Sequence, residues 1–178
     1  MSVFTNPASC SKEHGKAYTA AILDLLGDRK PIDVLERTET ALRAAVTGLS
    51  PKQLATREAP GKWSIAQVLQ HLADSDLVWG WRLRLVLSHD RPTLTGYDQD
   101  AWADRLDYEH ADPEQAVRDF GVLRAANLRL LQRATPADLD RVGMHVERGE
   151  ESVRHMMRLY AGHDLLHLRQ IERIKRSV

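Results

Sequence analysis

The stretch Tyr160-Ala161-Gly162-His163-Asp164-Leu165-Leu166-His167-Leu168-Arg169-Gln170-Ile171 decides how this chain is read. Followed in both directions, the inward positions run Val153, Met156, Tyr160, His163, His167, Ile171 and Ile174. That period predicts one long helix from about Ser152 to about Lys175. His163 and His167 stand at two consecutive inward positions where apolar residues belong. Their spacing puts both side chains on one helix face, about one turn apart. A buried imidazole without a partner costs on the order of 1–3 kcal/mol. Two in succession point to a shared purpose, either a metal ion or a structural hydrogen-bonded pair.

The same period recurs upstream. A short helix from about Glu13 to Leu26 carries Tyr18, Ala21, Ile22, Leu25 and Leu26, and Gly27 stops it. Pro31 opens a second helix, an allowed first-turn use of proline, with Leu35, Thr38, Leu42, Val46 and Leu49 inward and Ser50-Pro51 at its end. Ser64 and Gln67 have capping-box spacing and begin a third helix, with the stripe Ile65, Val68, Leu72, Trp79, Leu83 and Val86. Arg91-Pro92 closes it, and a long connection follows with a helical turn near Tyr97 to Leu106. Asp112-Pro113 starts a fourth long helix, with Val117, Phe120, Leu123, Asn127, Leu130 and Ala134 on one face. Arg141 to Glu151, with Gly143 and Gly149, reads as a loop holding at most a short extended piece. Leu49-Ser50-Pro51 with Leu54 is echoed by Ala134-Thr135-Pro136 with Leu139, either two similar corners or two ordinary helix stops. The expectation is an all-α four-helix bundle with an extra N-terminal helix and essentially no sheet. Residues 1–30 form an N-terminal segment and residues 31–178 the bundle domain.

Composition narrows the partners. The 178 residues carry 25 Lys plus Arg against 25 Asp plus Glu, so no cationic excess exists to hold a phosphate backbone, and nucleic acid is not expected. No run approaches the roughly 18 apolar residues of a membrane span, and Met1 to Ser11 has no hydrophobic signal core. Cys10 is the single cysteine, so no internal disulfide forms. A cytoplasmic protein with a small-molecule substrate is expected, and Cys10 reads as a bystander thiol.

His71 supplies a third imidazole. It lies three residues after Val68 at the edge of its helix's apolar stripe, and it gains weight only from the other two histidines. Three neutral imidazoles with an open position form a known catalytic metal arrangement, and bundle cores hold such sites. His14, His89 and His110 fall near helix ends or in polar loops, and His155 lies off the stripe. His145 either approaches the site as a fourth ligand or acid–base group or is an exposed loop residue.

Three segments resemble the DinB/YfiT-like superfamily of helical metalloproteins. They are Pro60-Gly61-Lys62-Trp63-Ser64-Ile65 leading into His71-Leu72-Ala73-Asp74-Ser75, then Tyr97-Asp98-Gln99-Asp100-Ala101-Trp102, then Gly162-His163-Asp164 with His167-Leu168-Arg169-Gln170-Ile171. The resemblance spans roughly Pro31 to Arg173. It implies an up-down four-helix bundle, commonly dimeric, with a metal held by His71, His163 and His167. Many members carry a further histidine just before the last one, where this chain has Leu166. Leu159, Leu165 and Leu166 are apolar beyond the inward stripe, which agrees with a homodimer or equally with contact to the N-terminal helix.

Three neutral ligands leave a divalent ion its whole charge, and imidazole suits zinc, nickel, copper and iron, with zinc or nickel expected here. Such an ion acidifies water for hydrolysis or binds a thiol as thiolate. The resemblance extends to transferases using the low-molecular-weight thiol bacillithiol, to a mycothiol-dependent maleylpyruvate isomerase, and to members described as metal-dependent hydrolases. The first expectation is therefore transfer of a small thiol to an electrophile. Hydrolysis is the second, and a non-catalytic metal or ligand sensor the third. No carboxylate is placed as a general base. Asp164 points about 100° from His163 on the helix wheel, while Glu147, Glu150, Asp98 and Tyr97 are loop residues that either reach the site or, the first expectation for each, serve the structure.

Overall fold

A computed structural model describes residues 12–177, so Cys10 lies outside the described residues, as does the side chain of His14. In chain order the helices are α1 (Lys12–Leu26), α2 (Pro31–Val46), α3 (Pro51–Leu54), α4 (Ile65–Ser88), α5 (Gln99–Arg105), α6 (Pro113–Arg133), α7 (Pro136–Leu139) and α8 (Val153–Lys175). The strands are β1 (Thr93–Leu94), β2 (Val142–His145) and β3 (Gly149–Ser152), and Tyr108–His110 make a 3₁₀ turn.

Local chemistry sets the helix starts. Ser64 accepts from the Gln67 amide while the Gln67 side chain accepts from the Ser64 amide, satisfying two orphan donors at the start of α4. Asp112 caps α6, and Ser152 caps α8. The echoed segments are two similar corners: α3 and α7 are four-residue helices, each opened by a capping box and a first-turn proline.

The four long helices α2, α4, α6 and α8 form the bundle. Helix α2 packs against α6 and α8, and α4 packs against the same two. Sequence order and ring order therefore differ, since α2 and α4 sit at opposite corners. This arrangement brings α4, with His71, beside α8, with His163 and His167. Helix α1 lies along α8, where Ile22 packs with Leu159 and Leu166. That contact, with Leu165 packed against the core, accounts for the apolar surplus on α8 without a second chain. Gly162 permits the close approach: a Cβ there would lie 2.2 Å from the Ile22 carbonyl oxygen.

The core is two apolar plugs separated by a polar layer. One plug holds Leu42, Leu72, Phe120 and Ile171, and the other holds Leu35, Trp79, Leu131 and Ala161. Between them every long helix contributes buried polar groups: Thr38 from α2, Ser75 and Asp76 from α4, Arg124 and Asn127 from α6, Asp164 and His167 from α8. Arg124 donates to Asp76 at 2.9 Å and to Asp164 at 2.6 Å, and Thr38 donates to Asp164 at 2.9 Å. The inward face of α6 is accordingly turned from the expected one. Arg124 and Leu131 are buried, while Leu123 and Leu130 are half-buried, because the guanidinium has to reach both carboxylates.

Two further differences from expectation concern strands. The segment expected as a loop is a hairpin: β2 runs antiparallel to β3, with Val142 opposite Ser152 and Met144 opposite Glu150. β1 adds a parallel pairing to β2, making a minor three-stranded sheet at one end of an otherwise helical molecule. Gly143 makes room for it, since a Cβ there would come within 2.7 Å of Leu94. No described helix is long and apolar enough to cross a membrane.

Candidate metal centre

The α4–α8 contact brings His71, His163 and His167 together. The Nε2 atoms of His71 and His163 are 3.1 Å apart, as are those of His163 and His167. One ligand atom from each lies within 4.8 Å of the others. His71 and His167 are buried, and His163 is half-buried at the edge of a cleft. Burial, then repulsion from neighbouring imidazoles, holds His71 and His163 well below the ordinary histidine value. Burial pushes His167 down to about 4, against the opposing pull of its Gln170 hydrogen bond. All three are neutral at pH 7, which leaves lone pairs for a metal.

Proton counting shows that these rings fit a cation. Gln170 donates from Nε2 to Glu58 at 3.2 Å, so its Oε1 faces His167 Nδ1 at 2.9 Å. An amide oxygen only accepts, so His167 carries its proton on Nδ1 and presents a lone pair at Nε2. Arg173 holds Glu58 at 2.7 Å and steadies the chain of contacts. His163 Nε2 then faces two nitrogens but has either a proton or a lone pair, never both. At least one of its 3.1 Å contacts lacks a usable proton. A cation accepting all three lone pairs removes the conflict. Tetrahedral zinc with bonds of about 2.0–2.1 Å separates its ligand nitrogens by about 3.3 Å, close to the His71–His163 and His163–His167 spacings of 3.1 Å. The Trp63 indole lies 4.8 Å from the His71 ring and walls one side.

On the other side is a cleft of about 110 Å³. His163 and Ser75 border it at the triad end, Tyr97, Tyr160, Arg82 and Arg148 line its length, and Tyr18 and Ile22 of α1 close it. Ser75 Oγ lies 3.3 Å from His71 Nε2 and 2.9 Å from the Tyr97 hydroxyl. Burial raises the Tyr97 phenol well above its ordinary range, opposed in part by the Ser75 hydrogen bond, so it stays protonated.

The loop candidates separate. Tyr97 reaches the cleft and contacts the triad through Ser75. Glu147 lines the cleft beside Gly96. Asp98 caps α5, accepting from the Asp100 and Ala101 amides. Glu150 pairs with Arg91 at 2.7 Å on the surface. His145 is buried in β2 rather than exposed, and stands outside the three-histidine group. Burial first, then Arg148 and Arg82, lower it to about 4. Sequence reading missed Ser75, Arg82, Tyr160 and Gln170. The available signal was spacing: Ser75 is one turn past His71 on the triad face, and Gln170 is three residues past His167.

A sequence profile of the DinB superfamily matches residues 34–171. A relative from Oceanobacillus iheyensis is 31% identical over 140 residues, covering 79% of this chain and 81% of its own. One from Bacillus subtilis is 30% identical over 150 residues, covering 84% of each chain. Both carry the name "Putative metal-dependent hydrolase". The solved structure of YfiT from Bacillus subtilis aligns with a TM-score of 0.78 at 29% identity, covering 83% of this chain and 85% of that one. It is described as having "an unusual four-helix bundle topology".

Proposed function

This chain belongs to the DinB superfamily, and on that premise we propose that His71, His163 and His167 hold one divalent ion, zinc or nickel, in a metal-dependent hydrolase acting on a small molecule. The observation that carries this reading is the convergence of three neutral Nε2 atoms, with the His167 tautomer set by Gln170, at the end of a cleft. When bound, an ion with three neutral ligands supplies Lewis acidity and brings a water's pKa toward about 7. The chain's own groups do the rest. Gln170 orients His167, and Trp63 keeps solvent from His71. Protonated Tyr97 and Ser75 share a hydrogen bond in which either hydroxyl can donate, and this gives a hydroxyl path for a proton to reach a leaving group in the cleft.

Transfer of a small thiol to an electrophile is the second reading, and one observation favours it. No carboxylate among the described residues hydrogen-bonds to the triad, Ser75 or Tyr97. A thiol is deprotonated by a metal outright and needs no such base.

The test is metal analysis of tag-free protein, followed by ester, amide and electrophile panels with and without thiols. Bound metal with thiol-independent cleavage supports hydrolysis, and thiol-dependent loss of an electrophile supports transfer. Metal retained with neither activity moves the protein to the sensor class, and protein that takes up no divalent ion sinks the triad. The same reading puts the protein's work in the cytoplasm and pairs it as a homodimer. Leu77 and Trp81 of α4 and Val122 of α6 are large apolar residues that remain exposed for that contact. Light scattering showing a monomer at micromolar concentration would remove the dimer.

A further inference from the structure

We propose that the cleft takes its substrate by an oxyanion, a carboxylate or phosphoryl group, seated on the guanidinium of Arg82. The proposal rests on the reading of this cleft as the substrate site. Two arginines of the long helices are buried, Arg82 at 4% and Arg124 at 3% exposure, and their surroundings differ. Arg124 makes ion pairs with both Asp76 and Asp164. Arg82 pairs with no carboxylate among the described residues. It donates to the Tyr160 hydroxyl at 3.3 Å and to the Thr95 carbonyl oxygen, and its Nε is buried with no partner.

The other acid–base groups nearby do not fill that place. Glu151 is buried and accepts from Arg148 through both of its oxygens. Glu147 lines the cleft but is exposed beside Gly96 and forms no ion pair with Arg82. The Glu151 charge is near enough to feel Arg82 but is engaged by Arg148; a buried guanidinium that no carboxylate meets directly is costly to fold around, and its planar fork of donors matches an oxyanion. Thr95 and Tyr160 hold that fork in place before a ligand arrives. The Tyr160 ring lies 6.2 Å from the His163 ring, so the anion seat and the triad share one cleft wall. The substrate class is then a small molecule with its oxyanion at Arg82 and its reacting group at the triad end.

The test uses metal-free full-length protein, so that no probe binds through the ion. Glutarate, inorganic phosphate and uncharged glutaramide are titrated by calorimetry at constant ionic strength. Glutarate or phosphate should bind and glutaramide should not, and the better of the two anions identifies the group. Arg82→Gln should weaken the anion at least tenfold while taking up as much zinc as wild type. Arg82→Lys, which keeps the charge and loses the fork, should fall between them. If Arg82→Gln does not fold, the wild-type comparison of anion with amide still decides. Equal binding of glutarate and glutaramide, no binding of either anion, or an unchanged affinity in Arg82→Gln overturns the proposal. Failure of the triad would appear instead as wild-type protein that takes up no zinc, which leaves the anion result standing.

Discussion

Replacing His167 by alanine separates the metal from the fold. The substitution leaves two imidazoles, too few for the usual catalytic zinc arrangement, while both apolar plugs remain intact. The magnitudes follow from chain length. At about 2.1 cal/mol/K per residue, 178 residues give an unfolding entropy of about 0.37 kcal/mol/K. A metal at a thousand times its dissociation constant stabilises the native state by about 4 kcal/mol, which is about 11 °C in Tm. Wild type should gain that shift on adding zinc or nickel, and His167→Ala should gain almost none. Without metal the variant loses contacts at a site that is 7% exposed, on the order of 1–3 kcal/mol or about 3–8 °C. Relief of the crowded Nε2 atoms opposes that loss and keeps it toward the lower end. The assay is thermal unfolding of both proteins, stripped and reloaded, with metal content measured after desalting. Equal metal-induced shifts in the two proteins, or none in wild type, refute the assignment. A variant that fails to fold even without metal refutes the claim that the plugs carry the stability.

Three other outcomes are expected. Gly162→Ala places a Cβ 2.2 Å from the Ile22 carbonyl oxygen, so α1 must move off α8 at a cost of about 1–3 kcal/mol; hydrogen exchange should rise in α1, and unchanged protection there would contradict this packing. Gln170→Leu removes the acceptor that holds the His167 proton on Nδ1 and should weaken zinc about 10–100-fold in competition with a chelating dye, an effect that equal affinities would rule out. Asp76, pushed up to about 6 by burial against the pull of Arg124, has a folded value above its unfolded one. Its contribution is therefore fully present below about pH 4 and lost as pH rises through 6. Asp76→Asn should flatten stability against pH between 4 and 6 in urea melts, and an unchanged slope would count against it.

Helices were legible wherever caps and stripe agreed. Ser64 with Gln67, Asp112 with Pro113, and Ser152 ahead of Val153 mark the starts of α4, α6 and α8 within a residue. His163 and His167 were legible because imidazoles interrupt an apolar period, a signal internal to one helix, while His71 on α4 drew its weight only from that pair. The turned face of α6 was not, because leucines at 123, 128, 130 and 131 fit several faces and the choice is made by Asp76 and Asp164 on other helices. The hairpin was missed because β2 and β3 span four residues each and alternate around glycine, too short for a period-two signal. Arg82 carries a charge next to Leu83 on the inward side of α4, yet sequence alone does not reveal whether a carboxylate meets it. Its unpaired state becomes visible only once the neighbours of Arg124 and Arg148 are known.

The polar layer also shows how three neutral imidazoles can cluster in a core that contains acids. His163 and Asp164 are consecutive on α8, so their side chains diverge by about 100°. One faces the cleft, and the other faces the bundle axis, where Arg124 grips it with two nitrogens and Thr38 adds a third donor. Asp76 is held by the same guanidinium and by Asn127 at 3.1 Å. Arg124 therefore engages both buried carboxylates of the layer, and neither belongs to the three-histidine group. In the proposed site, an ion held by His71, His163 and His167 would keep its full double charge, which is the property that acidifies a nucleophile. In the proposed site Arg124 would act from the far side of the layer without lining the cleft, through the same hydrogen bonds that tie the bundle together.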